Sequence, residues 1–375
     1  MEVDTGNLPG RNTAIRATHL VSHDSQNSTA LRDAGDSLTE RYLAEVRDLI
    51  HDELLAIVGG SRYRGVLYDL MLEYPLRDAK GLRPALCIAV CRGLGGRLAD
   101  ALPTAAVLEL YHNAFLVHDD VEDGSRLRRG KPTLHEAHGV PVAINVGDGM
   151  MALSLQPLLD NTRRVGLGRA LQVLELVSTM CRESVEGQAL ELDWIRAGRF
   201  DLGDRDYLEM VRKKTAWYTF VAPMLAGAAL AGAARYPRSA LRRFATVLGI
   251  AFQIQDDLLN LDGDEHAYGK EIAGDLEEGK RTLMVLHLMR VLEPEERRRA
   301  EAVLRTPRGA HRVEDLRWLQ GELRRRGSID YGRALAQRYA QRARSALRRL
   351  EAHLHPSVHR EFLESIVEYT VARAR

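Results

Sequence analysis

Two acidic clusters constrain the fold of this chain more than any other feature. They are Asp119-Asp120-Val121-Glu122-Asp123 and Asp256-Asp257-Leu258-Leu259-Asn260, and each ends a strongly apolar stretch of helical character. In a helix, positions i, i+1 and i+4 lie near one face, so each cluster should direct three oxygen-bearing side chains to one side. A single cluster of this kind is most often a solvated helix end. Two of them favour a helical bundle whose cavity holds hard divalent cations, because magnesium prefers carboxylate and phosphate oxygens.

Basic residues accompany both clusters. Arg128 and Arg129 follow the first one within Gly124–Pro132, a segment whose glycines permit a tight turn. The segment is a poor helix, and its adjacent guanidinium groups suit an anion. The chain has 53 lysines and arginines, of which only six are lysines. Four lysines stand in contexts that suit a compact charge directed at phosphate, with chance scatter as the alternative: Lys80, Lys214, Lys270 and Lys280.

Together these segments resemble the trans-isoprenyl diphosphate synthases, the polyprenyl synthetase family, from about residue 40 to about residue 300. The family motif DDxxD, four residues, RRGxP is matched by Asp119–Pro132, and FQxxDDxxD is matched by Phe252–Asn260. The other matches are GKxxRP at Ala79–Pro84, with alanine for the first glycine, a histidine at His112, KT at Lys214-Thr215, and GK…DL…GK at Gly269-Lys270, Asp275-Leu276 and Gly279-Lys280. One such match is weak, whereas six in this order are specific.

The resemblance implies both the fold and the reaction. We expect an all-α, single-domain helical bundle of the isoprenoid-synthase type around a central cavity. The implied reaction is prenyl transfer, in which magnesium assists ionisation of an allylic diphosphate (dimethylallyl, geranyl or farnesyl) that then alkylates isopentenyl diphosphate. Three magnesium ions per active site are implied, and manganese can substitute. The implied metal-binding set is Asp119, Asp120, Asp123, Asp256, Asp257 and Asn260.

The resemblance also assigns the cationic residues to two diphosphates. Those implied for the allylic diphosphate are Arg128, Lys214 and Lys270, with Lys280 as a further substrate-binding residue. Those implied for isopentenyl diphosphate, which binds without metal, are Lys80, Arg83, His112 and Arg129. Taken alone, His112 would be interpreted as a polar residue on a helix surface. Its spacing from the DDxxD motif is the reason for assigning it to the isopentenyl diphosphate site.

Thr215 and Gln253 are expected to line the path along which the condensation product loses its proton, with released pyrophosphate as the base. The implied catalytic set is Asp119, Asp120, Asp123, Arg128, Lys214, Thr215, Gln253, Asp256, Asp257 and Lys270.

The length of the product depends on the floor of the cavity. Ala114 and Phe115 lie one helical turn before the first motif, where Ala114 is too small to close the cavity and Phe115 can narrow it. Asn260 stands where many members have a third aspartate, and its amide adds no negative charge. These features and the lack of an insertion in DDxxD resemble the eukaryotic-type pattern for geranylgeranyl diphosphate. Farnesyl and longer products stay open.

Two other classes of protein are alternatives. A class I terpene cyclase uses the same ionisation but binds one diphosphate, so it gains nothing from a second cationic cluster. A non-catalytic partner subunit would be expected to have lost carboxylates or arginines that this chain retains. The family resemblance implies a homodimer, and the apolar stretch Ala105–Leu116 is long enough to be covered by a partner, although burial within one subunit explains it equally.

Composition excludes several partners and compartments. The formal net charge is +1, so no long-range field favours nucleic acid. Three cysteines, Cys87, Cys91 and Cys181, give no disulfide framework and favour a reducing cytoplasm. The N-terminus lacks a secretory pattern, and no stretch is expected to reach the ~18–20 apolar residues of a membrane span, so we expect no stable membrane insertion.

Local signals predict how the chain is divided. Residues 1–36 are polar and are expected to form a disordered arm, whereas residues 37–375 should form one all-α prenyl diphosphate synthase domain. A capping box at Ser37–Glu40 should open the first helix, and Pro103 and Pro141 should each occupy the first position of a helix. Glycine-rich segments at 93–96, 124–130 and 263–274 should separate helices.

Overall fold

The computed structural model describes residues 37–59, 63–77, 79–232, 236–262 and 274–372, and it confirms an all-α fold. Within these ranges, one hairpin of two-residue strands is the only β-structure. The predicted arm, Lys270 and most of the glycine-rich segment 263–274 lie outside the described residues. The helices and strands are α1 (Leu38–Val58), α2 (Tyr68–Leu76), α3 (Leu82–Gly93), α4 (Leu98–Asp123), β1 (Leu127–Arg128), β2 (Lys131–Pro132), α5 (Leu134–His138), α6 (Val140–Leu153), α7 (Leu155–Val165), α8 (Leu167–Arg196), α9 (Asp204–Val211), a π-helix (Arg212–Val221), α10 (Ala222–Ala231), α11 (Arg238–Asp262), α12 (Gly274–Glu277), α13 (Leu283–Val291), α14 (Pro294–Leu304), α15 (Val313–Arg325), α16 (Ser328–Leu347) and α17 (Val358–Ala372).

Of the three predicted helix starts, the capping box is confirmed, Pro141 is the second residue of its helix rather than the first, and the start at Pro103 is wrong. The Ser37 hydroxyl accepts from the Glu40 backbone N–H, and the Glu40 carboxylate accepts from the Ser37 N–H at 2.9 Å, so the capping box is present. Pro141 lies in the first turn of α6, where the missing N–H costs no hydrogen bond. Pro103 lies inside α4, because that helix already begins at Leu98.

A hairpin follows α4 at the predicted break. Gly124 ends the helix with a left-handed φ of 62°. The two-residue turn between β1 and β2 is formed by Arg129 and Gly130, with φ values of 53° and 71°. Two successive residues with positive φ are typical of a type I′ turn, whose twist matches that of a two-stranded ribbon. The turn therefore holds Arg128 and Arg129 close to the end of α4.

The core consists of two adjoining hydrophobic clusters. α3, α4 and α10 contribute to the larger one, and α13 and α15 contribute to the smaller one. α11 joins them, because Phe244 and Leu248 pack in the larger cluster whereas Ile254 and Leu258 pack in the smaller. Residues 105–114 of α4 are all buried by helices of the same chain. That stretch therefore needs no partner subunit to explain its apolar character.

The segment that carries Lys214 is a π-helix rather than an α-helix. π-helices are rare, and they frequently lie at functional sites. Two glycines allow neighbouring helices to approach it closely. A Cβ atom on Gly187 of α8 would lie 2.3 Å from the Lys214 backbone N, and one on Gly249 of α11 would lie 2.7 Å from the Ala216 Cβ. Close contact with α8 and α11 therefore fixes the position of the π-helix.

The expectation that no stretch is long and apolar enough for a membrane span is wrong for one segment. Val140–Val165 is long and apolar enough to cross a membrane by length and composition, and 33% of its apolar 18-residue window is buried. Ser154 divides this stretch into α6 and α7. Its exposed apolar side chains continue into α8: Val140, Ile144, Leu155, Leu159, Leu167 and Leu171. The molecule thus carries an uncovered apolar surface on these three helices, which we call the α6–α8 face.

Candidate active site

The first acidic cluster meets two lysines at the end of α4. The Lys214 Nζ lies 3.4 Å from the Asp119 Oδ1 and also pairs with Glu191 of α8. The Lys280 Nζ donates to the Asp123 Oδ2 at 2.8 Å. These two ammonium groups come from segments far along the chain, so the fold assembles a cluster of alternating charge.

Asp120 lies in different surroundings from Asp119 and Asp123. Its side chain is fully buried, and it accepts from the Tyr74 hydroxyl at 2.6 Å and from the Arg128 Nε at 3.0 Å. The Arg128 guanidinium also lies 4.0 Å from the Asp119 Oδ2. The expectation of one shared face therefore describes Asp119 and Asp123 but not Asp120, whose carboxylate is buried against Tyr74 and Arg128.

The second cluster is organised in a similar way around Asp257. The Tyr207 hydroxyl donates to the Asp257 Oδ2 at 2.6 Å, and the Gln253 Nε2 donates to the Oδ1 at 2.7 Å. The Gln253 Oε1 in turn accepts from the Thr215 hydroxyl at 2.7 Å. Three residues singled out in the sequence, Thr215, Gln253 and Asp257, therefore form one chain of hydrogen bonds. Asp256 is only partly buried.

Lys280 links the two clusters. Besides Asp123, its ammonium group lies 3.9 Å from the Asp275 Oδ1. The Asp275 backbone N–H donates to the Asn260 Oδ1 at 3.1 Å, and Asn260 is buried. The amide oxygen of Asn260 is therefore engaged by the backbone at the start of α12. Asp123, Lys280, Asp275 and Asn260 connect the end of α4 with the end of α11.

Burial shifts the proton affinities of these groups. It raises the pKa of Asp123 to about 7, although the Lys280 ammonium opposes the shift. Burial is also the largest reason that the pKa of Asp257 lies well above its usual value, with Asp275 adding to the effect. For Lys214, burial works against the charged form, yet Glu191 and Asp119 hold its pKa above the usual value. Carboxylates with raised pKa values release protons when a cation approaches.

The donor set suits a hard divalent cation. Carboxylate oxygens are what magnesium prefers, and Asp119 and Asp123 are held near each other on α4. In the described part of the chain, no three carboxylate, imidazole or thiolate groups converge closely enough to hold an ion as they stand. The Lys214 and Lys280 ammonium groups contact those carboxylates instead. An entering ion would replace these contacts.

A second cationic group lies around Tyr218. The Arg83 Nη2 donates to the Thr219 hydroxyl at 2.8 Å, and its guanidinium lies 4.4 Å from the centroid of the Tyr218 ring. The His112 ring lies 5.9 Å from the same ring. Arg83 and His112, both predicted for the isopentenyl site, are therefore brought together by one aromatic residue.

The other two residues predicted for that site have separate surroundings. The Arg129 Nη1 donates to the carbonyl oxygens of Tyr74 and Arg77, at 2.9 and 3.1 Å, which ties the hairpin to the end of α2. Lys80 is exposed, on the segment between α2 and α3.

The predicted cavity-floor residues differ in burial. Ala114 is fully buried in the larger core cluster. Phe115 is partly buried, and its ring lies 5.7 Å from the Tyr218 ring in an edge-on arrangement and 6.2 Å from the Tyr111 ring. Tyr218 thus touches both the Arg83 and His112 group and the predicted floor.

Sequence reasoning missed Tyr74, Tyr207 and Tyr218. Tyr74 and Tyr207 are aromatic residues on helices, which normally indicate core packing, and nothing local marks their hydroxyl partners. Tyr218 carried a weak signal, since it follows the KT pair by one helical turn.

Known proteins resemble this chain along most of its length. Residues 66–322 match the family model described as Polyprenyl synthetase. The chain is 32% identical over 339 residues to the short chain isoprenyl diphosphate synthase of Methanothermobacter thermautotrophicus, covering 88% of this chain and 99% of that one. It is similar in structure to the geranylgeranyl pyrophosphate synthetase from Pyrococcus horikoshii Ot3, with a TM-score of 0.79, 30% identity and coverage of 89% and 98% of the two chains. The polyprenyl synthase from Caulobacter crescentus CB15, complexed with calcium and isoprenyl diphosphate, gives a TM-score of 0.77, 31% identity and coverage of 90% and 96%.

Proposed function

Because the chain belongs to the polyprenyl synthetase family of prenyltransferases, we propose that it condenses isopentenyl diphosphate with an allylic diphosphate to a short-chain prenyl diphosphate. We take dimethylallyl, geranyl and farnesyl diphosphates as the primers and geranylgeranyl diphosphate as the product. The observation that carries the proposal is the pairing of two aspartate clusters with lysines and arginines at the ends of α4 and α11. Such a site can exchange its internal ion pairs for metal and phosphate.

Bound magnesium, for which we propose three ions with manganese as a substitute, would neutralise the charge that develops on the leaving diphosphate. Arg128 and Lys214, with Lys270 outside the described residues, would bind that diphosphate. Exclusion of water by the surrounding apolar helices would strengthen each of these charge interactions. Ionisation of the allylic group is thereby favoured over its reaction with solvent.

The second substrate is expected to bind through its diphosphate alone. Arg83 and His112 would anchor it beside Tyr218, and Lys80 and Arg129 would complete the anion site. After the carbon–carbon bond forms, a proton must leave the product. Thr215 and Gln253 line this path, and the released pyrophosphate takes the proton.

Turnover of purified protein tests this proposal. The protein is incubated with magnesium, isopentenyl diphosphate and each primer in turn, and product length is measured by mass spectrometry. Asp119→Ala and Asp256→Ala should each lower turnover by orders of magnitude and keep the helical circular dichroism. Asp330→Ala is the matched control, because Asp330 is exposed and pairs only with Arg333 in the part of the chain that the structure describes. Unchanged turnover in either aspartate variant would reject the metal-site assignment, and a cyclic hydrocarbon product would indicate a terpene cyclase.

Arg128 and Arg129 provide an adjacent pair of variants that separates the two diphosphate sites. Arg129→Ala should chiefly raise the KM for isopentenyl diphosphate, by the equivalent of ~1.5–3 kcal/mol for a charge-assisted contact. Arg128→Ala should chiefly impair the allylic step, and it also removes a donor from Asp120. Equal effects of both variants on the same substrate would contradict the assignment of two sites.

The α6–α8 face supports a homodimer. Leu159 and Leu167 are 54% and 64% exposed, and neighbouring leucines repeat at helical spacing. An uncovered apolar surface of this kind marks an interaction site, and a second copy of the chain is the occupant that closed symmetry favours. Light scattering should give a dimer mass, and Leu159→Asp with Leu167→Asp should give monomers. A monomer with full activity for the unaltered protein would contradict the dimer.

We also propose that residues 37–375 form one domain in a reducing cytoplasm. The continuous passage of α11 through both core clusters supports a single cooperative unit. Cys87, Cys91 and Cys181 are all free, which supports a reducing compartment. A single calorimetric transition would test the domain assignment.

A further inference from the structure

An arginine from outside every family motif reaches the first acidic cluster. Arg308 lies in the connection between α14 and α15, in a turn closed by a hydrogen bond of 3.0 Å from the Ala310 N–H to the Pro307 carbonyl oxygen. Gly309 takes a left-handed φ of 78°, which suits the third position of a type II turn. The Arg308 side chain is 20% exposed. The turn thus directs a mostly buried guanidinium group away from solvent.

Arg308 contacts the end of α4. Its Nη1 donates to the Asp123 carbonyl oxygen at 3.2 Å and to the Ser125 hydroxyl at 3.4 Å. The last carbonyl groups of a helix lack partners within the helix and carry partial negative charge, so a cation is favourable there. The same Nη1 forms an ion pair with Glu278.

Glu278 is shared between two cations. Its Oε2 lies 2.5 Å from the Lys280 Nζ, whereas its Oε1 pairs with Arg308. Lys280 is therefore held by Glu278 and by Asp123 at the same time. Without Arg308, the whole negative charge of Glu278 would act on Lys280, and the ammonium group would be harder to withdraw from the buried pair.

We propose that Arg308 is a positioning residue of the diphosphate site, which neutralises Glu278 so that Lys280 is available to bind a substrate diphosphate. Arg308 acts through Glu278 and need not touch the substrate. The proposal rests on the proposed function, because it needs a diphosphate to bind at Lys280. It adds the loop between α14 and α15 to the site.

Calorimetric binding of inorganic pyrophosphate in the presence of magnesium tests the proposal without turnover. Arg308→Ala should weaken binding about tenfold, because Glu278 would then hold Lys280 and the charge-assisted contact of Lys280 with pyrophosphate would be lost. Arg305→Ala is the matched control, because Arg305 lies on the same connection but pairs with Glu301 at 3.9 Å and donates to the Gly198 carbonyl oxygen at 3.1 Å. It should bind like the unaltered protein.

The double variant Arg308→Ala with Glu278→Gln gives the sharpest result. Removing the charge of Glu278 should restore most of the affinity lost in Arg308→Ala, because the ion pair between Glu278 and Lys280 is then lost as well. Arg308→Lys retains the positive charge and should bind within about threefold of the unaltered protein, and it serves if Arg308→Ala does not fold.

The outcomes distinguish this inference from the proposed function. If the unaltered protein does not bind magnesium pyrophosphate, the proposed function itself is wrong. If it binds but Arg308→Ala matches Arg305→Ala, the inference is overturned. A double variant as weak as Arg308→Ala, or a tenfold loss in Arg308→Lys, would also overturn it, because Arg308 would then not act by neutralising Glu278.

Discussion

Replacing Tyr207 by phenylalanine removes one oxygen atom from the second aspartate cluster and leaves the aromatic ring in place. Tyr207 is 1% exposed, and its hydroxyl donates to the Asp257 Oδ2 at 2.6 Å. Asp257 is itself buried, and among the described residues the hydrogen bond of 2.7 Å from the Gln253 Nε2 is the one that it would keep. The variant therefore leaves a buried carboxylate with one donor fewer.

The loss in free energy of unfolding caused by Tyr207→Phe depends on whether Asp257 is charged. A hydrogen bond to an ionised acceptor contributes about 1.5–3 kcal/mol, whereas one between neutral groups contributes about 0.5–1.5 kcal/mol. Tyr42→Phe gives the reference, because Tyr42 is fully buried and its hydroxyl lies 2.9 Å from the His359 Nδ1 instead of a carboxylate. We expect Tyr207→Phe to lower the free energy of unfolding by about 1.5–3 kcal/mol and Tyr42→Phe by about 1 kcal/mol.

Urea unfolding of the metal-free protein measures both values, provided that the m-values agree. Burial raises the pKa of Asp257, and Tyr207 counteracts this, so the variant should raise that pKa further. A raised pKa in the folded state costs stability as pH rises. The penalty of Tyr207→Phe should therefore be larger at about pH 8 than at about pH 5. Equal penalties for the two tyrosines, or a penalty that does not grow with pH, would refute a charged Asp257.

Three further predictions follow from the site. Because burial raises the pKa of Asp123 to about 7, the metal-free protein should lose stability relative to Asp123→Asn as pH rises from about 4 to about 7, and parallel urea titrations that show no such trend would contradict the shift. Ala114→Phe should shorten the product and Phe115→Ala should lengthen it, because each buried CH₂ of the prenyl chain gains about 0.8 kcal/mol until a side chain blocks growth; unchanged chain lengths with lowered melting temperatures would place the floor elsewhere. Gly187→Ala should lower turnover and weaken pyrophosphate binding, because its Cβ would lie 2.3 Å from the Lys214 backbone N, and normal values for both would show that the π-helix can move freely.

Features whose partners are close in the sequence could be predicted. The capping box at Ser37 needs only Glu40, and the break at Gly124 needs only a residue that tolerates a left-handed φ. The acidic clusters indicated a charged site between helices for the same reason, since their spacing is a property of one helix.

Features that depend on distant partners could not be predicted. Successive residues in an α-helix are turned by about 100°, whereas positions i and i+4 differ by about 40°, so Asp119 and Asp123 face together and Asp120 faces elsewhere. Asp120 accepts a hydrogen bond from Tyr74, which lies on α2, a helix that precedes α4 in the chain. The π-helix depends likewise on Gly187, and no local pattern in Lys214-Thr215 indicates it. Pro103 was misleading because a proline tolerated inside a helix looks the same in sequence as one that starts it.

The ion pairs of Lys214 with Asp119 and Lys280 with Asp123 have a consequence for the order of assembly. Each carboxylate already has a counter-cation, so the protein can fold where divalent ions are scarce. A metal that enters alone would have to displace an ammonium group from its aspartate, which would leave Lys214 paired with Glu191 and Lys280 paired with Glu278. A diphosphate that enters alone would meet lysines that are already engaged. When both bind together, Asp119 and Asp123 would hold the metal and Lys214 and Lys280 would pair with the phosphates. We therefore expect the two ligands to be thermodynamically coupled, so that each tightens the binding of the other by the same factor.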